Sequence, residues 1–180
     1  MGSIKWICNG DGFVYTKSNS EDVHDPNRYL DMKVYYHGIG TSQSMDKLVF
    51  SSKKYPEMNM KPREIPYLMY DHDQELLFLA LYTVEQYLKV FYAPCKKETL
   101  GIINWKPLIS LEDQVVDFYS MNDTIYLYSA KDAPRFQILS TSLSDPDIEN
   151  ATVVVPEHEK GILSGFAFTN EALYYKLTFN

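Results

Sequence analysis

The stretch Tyr35-Tyr36-His37-Gly38-Ile39-Gly40-Thr41-Ser42-Gln43-Ser44-Met45-Asp46-Lys47-Leu48-Val49-Phe50 reads as two short strands around a reversal. Successive side chains of a strand point to opposite faces, so Tyr35 and His37 share one face and Tyr36 takes the other. The chain turns back at Gly40-Thr41, where glycine accepts positive φ at little cost. Upstream, Trp6-Ile7-Cys8 runs into the turn Asn9-Gly10-Asp11-Gly12 and then Phe13-Val14-Tyr15. With strands at residues 32–37 and 48–50, residues 4–50 hold four short strands.

The pattern recurs downstream. A second set of four apolar runs falls at residues 67–70, 76–82, 88–92 and 105–110. A third falls at 115–119, 125–128, 136–139 and 153–155, and a fourth opens with 162–168 and 173–179. The first turn of each set serves as a ruler: Asp11, Asp73, Asp123 and Glu171 lie 62, 50 and 48 residues apart. Periods of roughly 40 to 50 residues with four strands per unit indicate propeller blades. The long first interval is explained by two polar insertions, residues 18–29 and 51–63. Fifteen tyrosines and nine phenylalanines beside Val, Ile and Leu agree with strands. The expected fold is all-β, a partial β-propeller of about three to four four-stranded antiparallel blades. It forms one incomplete domain over residues 1–180, with blades near 4–50, 64–110, 114–155 and, in part, 162–180. A β-sandwich of irregular strands is the competing architecture. The run TVEQYLKV at residues 83–90 has helical propensity, but the repeat demands a connection and a strand there.

Composition excludes several classes. A net charge of −7 repels phosphate backbones, so nucleic acid is not an expected partner. The pairs Lys53-Lys54 and Lys96-Lys97 read as solvated loops. No apolar run approaches the roughly 18 to 20 residues of a membrane helix, and the first residues lack the pattern of a signal peptide. The expectation is a soluble cytoplasmic chain with no membrane partner. Cys8 and Cys95 read as free thiols. The sequons at Asn122 and Asn150 are coincidental in that setting.

The quoted stretch resembles a YYH-x-x-GT-x-Q-x-x-D-x-L run in the outer strand pair of a blade in prolyl oligopeptidases. Ile4-Lys5-Trp6 to Gly12-Phe13-Val14-Tyr15 is similar to the family's blade opening. Ile102-Ile103-Asn104-Trp105-Lys106-Pro107-Leu108-Ile109 and Val154-Val155-Pro156-Glu157-His158-Glu159-Lys160 also match, in the family's order. The resemblance implies part of an N-terminal seven-bladed propeller that caps an α/β-hydrolase domain. In the family that domain carries a Ser/Asp/His triad and cleaves short proline-containing peptides after proline. The partners it implies are therefore that hydrolase domain of the same parent chain and, through it, such peptides. Family side chains that reach the active-site cavity are a Phe, a Met, an Arg and a Cys. They fall at Met1, near Glu64, near Leu81, and at Thr83 or Val84. None is retained in type: the lining has diverged, or the placement is shifted by a residue or two.

No catalytic machinery is expected in the chain itself. A nucleophile elbow needs Gly-x-Ser-x-Gly, whereas in Gly161-Ile162-Leu163-Ser164-Gly165 the serine comes one place late. His24, His37, His72 and His158 lack zinc-helix spacing, and Asp71-His72-Asp73 reads as a solvated turn. No metal, cofactor or phosphate loop is expected. Too few blades to close a ring leave bare faces and edges, so self-association is expected of the isolated chain. The alternative reading is a stand-alone, non-catalytic interaction module of the same ancestry.

Overall fold

The computed structural model describes residues 4–7, 10–169 and 171–179. Met1, Cys8 and Asn9, which figure in the readings above, lie outside them. The described residues form two compact units, residues 1–108 and 109–180.

In the first unit, β1 (Ile4–Ile7), β2 (Gly12–Lys17), β3 (Lys33–Gly38) and β4 (Lys47–Phe50) pair antiparallel in chain order. β5 (Ile65–Asp71), β6 (Leu76–Tyr82), β7 (Val90–Pro94) and β8 (Lys106–Ile109) repeat that order in a second sheet. One core lies between the sheets. Val14, Val34, Tyr36 and Phe50 come from the first, and Leu68, Leu77, Leu79 and Leu81 from the second. Fully burying each such leucine stabilises by about 1.5–3 kcal/mol. The alternation read from the sequence is present: Tyr36 is buried in this core while Tyr35 and His37 stand half-exposed on the other face. Gly40 adopts φ +78° at the reversal.

The polar segment 51–63 does more than extend a loop. Its Tyr55, Met58 and Met60 are buried in the same core, around a single 3-10 turn at Pro56–Met58. The apolar residues there are spaced singly, so no strand or helix period announces them. Lys54 is likewise not simply solvated. Its ammonium donates to Leu48 O at 2.5 Å and lies 5.5 Å from the Tyr55 ring, and burial pulls its pKa down. β7 begins at Val90 rather than residue 88; Leu88 is buried as the anchor of the preceding bend.

In the second unit, β9 (Val115–Met121), β10 (Thr124–Ser129), β11 (Gln137–Ser142) and β12 (Thr152–Val155) again form a four-stranded antiparallel sheet in chain order. β13 (Ile162–Phe168) and β14 (Leu173–Thr178) form a two-stranded one. Ile138, Val155 and Leu163 make the buried centre between the two sheets, packed by Tyr126, Tyr128, Phe136 and Phe166. Phe168 stacks on Tyr119 with centroids 4.7 Å apart and tilts against Tyr126 at 4.4 Å. The fold is therefore all-β, with three complete blade-like sheets and the first hairpin of a fourth.

Candidate functional site

Glu64 immediately precedes β5, and Thr83 and Val84 immediately follow β6. Because β5 and β6 are antiparallel with Ile65 opposite Tyr82, these three residues flank one end of the strand pair. Glu64 is only 3% exposed. Its carboxylate accepts the Lys61 backbone N–H at 2.8 Å, and its own N–H donates to Lys61 O at 3.0 Å, closing a tight turn. Thr83 is half-buried and Val84 fully exposed. Leu81 sits apart from them, buried in the core opposite Pro66. The same end is tied together by Lys61–Glu85 at 3.9 Å and by Lys89 donating to Asn59 O at 3.0 Å. Asp31 N–H also donates to Pro62 O there, at 2.8 Å, tying the second polar insertion to the residues just after the first.

The quoted stretch builds a second feature on the outward face of the first sheet. Asp46 ends the 3-10 turn Gln43–Met45 and brings its carboxylate between β2 and β3. The Tyr15 hydroxyl donates to Oδ2 at 2.5 Å, and His37 Nδ1 lies 2.7 Å from Oδ1. The Asp46 side chain is 5% exposed, that of His37 21%. A carboxylate oxygen only accepts, so the proton of this hydrogen bond is carried by His37 Nδ1. Burial, then the bond to Asp46, pushes the Tyr15 phenol up. Phe13 lies 5.1 Å from the His37 ring, and Tyr35 stacks on Tyr15 at 5.9 Å. Ile4, Phe13, Tyr15, His37, Gln43 and Asp46 line an open concavity of about 350 Å³.

The remaining polar candidates are placed as turns and strand residues. Asp71 accepts the N–H groups of Asp73 and Gln74, and His72 is exposed against the Tyr70 ring. Ser164 lies in β13 with its hydroxyl 2.9 Å from that of Thr178. His158 Nδ1 accepts the N–H groups of Lys160 and Gly161. Cys95 is buried. Among the described residues no three His, Cys, Asp or Glu are grouped to hold a metal ion, and no helix is long and apolar enough to cross a membrane.

The sheet order and the outer-strand run agree with one family. Residues 1–177 match the family model of the prolyl oligopeptidase N-terminal β-propeller domain. The chain belongs to this family. A prolyl endopeptidase of Elizabethkingia meningoseptica is 29% identical over 168 residues, covering 87% of this propeller chain and 21% of the relative. Prolyl oligopeptidase A of Amanita bisporigera is 24% identical over 190 residues, covering 98% and 24% respectively. Among solved structures, prolyl oligopeptidase B of Galerina marginata, bound to a 35mer substrate, superposes with a TM-score of 0.76. The identity is 18%, covering 100% of this chain and 24% of that one. The propeller chain thus spans about a quarter of the length of these relatives. The outer-strand run, read from the sequence as packing alone, also creates the Tyr15–Asp46–His37 network. The signal was present as a histidine and an aspartate in one hairpin, but nothing in their spacing says that a 3-10 turn brings them together.

Proposed function

We propose that this chain supplies blades of the cap of a serine-type endopeptidase that cleaves short peptides after proline. The cap's role is to restrict access to an α/β-hydrolase domain elsewhere in the same parent polypeptide. The observation that carries this reading is the family match over nearly the whole chain, together with three consecutive four-stranded sheets in propeller order. Within the cap, the blades near 4–50, 64–110, 114–155 and 162–180 belong to one incomplete propeller domain. Glu64, Thr83 and Val84 border the peptide cavity at their shared end of β5 and β6; Leu81 acts there only by supporting the sheet from the core. The resemblance places a family Met near Glu64, and a carboxylate in its stead alters which peptide residues are favoured. The parent works in the cytoplasm on peptides small enough to pass the cap. Separated from the rest of the ring, the chain associates with itself through its bare sheet edge.

The test is a hydrolysis assay on the parent protein with internally quenched proline-containing substrates of increasing length. Cleavage of short peptides with rejection of long ones, and loss of that discrimination when residues 1–180 are deleted, is the expected result. Absence of post-proline cleavage by the parent would remove the endopeptidase reading.

A further inference from the structure

We draw no further inference here: the strongest candidate, the cleft of about 280 Å³ in the first unit between Asp11 and the β7–β8 connection, is lined by charges of both signs, with Lys97 already paired to Asp11 at 2.7 Å, and nothing in the structure shows what would occupy it.

Discussion

Tyr55 joins two distant parts of the first unit through one side chain. Its hydroxyl accepts the buried Ile103 N–H at 2.9 Å, and its ring stacks on Phe50 with centroids 5.9 Å apart and planes 4° from parallel. Burial pushes its phenol pKa up. Tyr55→Phe keeps the stack and leaves the amide without a partner, which costs about 1–3 kcal/mol. Urea denaturation should show a lowered midpoint with an unchanged slope. Gly12 tests close approach: a Cβ there would meet His37 O at 2.3 Å and the Tyr36 ring at 2.6 Å. Gly12→Ala is therefore expected to destabilise by about 1–3 kcal/mol through overpacking, read as a fall in Tm. Asp123 tests linkage. The hydroxyls of Ser142 and Ser144, then the Ser144 amide, hold its carboxyl below the ordinary range. A depressed folded pKa adds stability that is present above the unfolded value, about 3.9, and is lost as pH falls through the lower folded one. Urea midpoints at neutral pH and near pH 3 should therefore converge in Asp123→Asn relative to the parent chain. An unchanged pH dependence would show that the hydroxyl bonds do not form.

At the scale of elements, legibility followed periodicity. β6 is an unbroken apolar run, and five of its seven residues are buried at the centre of its sheet. Such a strand announces itself, and Leu79→Ala, at 0% exposure, is expected to cost about 2–5 kcal/mol. β10, with buried Ile125, Leu127 and Ser129 alternating with half-buried neighbours, was equally plain. Residues 83–89 were harder. They have helical propensity but sit between two strands that pair with each other, so the ladder between Leu76–Ala80 and Val90–Pro94 overrides the local preference. The buried Tyr55, Met58 and Met60 escaped because single apolar residues among polar ones carry no period. At the candidate site, the burial of Glu64 depends on a turn closed by Lys61, and side-chain bonds of that kind leave no mark in spacing. The contact between His37 and Asp46, nine residues apart, has the same character.

At the scale of the molecule, charge is unevenly shared. Residues 1–108 carry thirteen basic and thirteen acidic residues. Residues 109–180 carry four and eleven, which accounts for the whole net charge of −7. The second unit also ends in the two-stranded sheet, where Tyr174 and Tyr175 of β14 are 60% and 50% exposed. An exposed edge strand with one lysine is a template for pairing, opposed here by like-charge repulsion. Self-association is therefore expected to rise with ionic strength, because salt screens that repulsion at about 10 Å and less above 0.1 M. Sedimentation velocity should show larger species in high salt than in low, and Tyr175→Lys should suppress them; association that weakens with salt would point to an ionic contact instead.

The membership of this chain in a larger cap is tested most directly by the intact mass of the native polypeptide that contains residues 1–180. The account predicts a mass several times 20.9 kDa, in keeping with relatives of which the chain spans about a quarter, and a peptide carrying Gly-x-Ser-x-Gly in the same polypeptide. A native mass near 20.9 kDa would contradict it, and would leave a free-standing set of blades that binds a partner or a copy of itself.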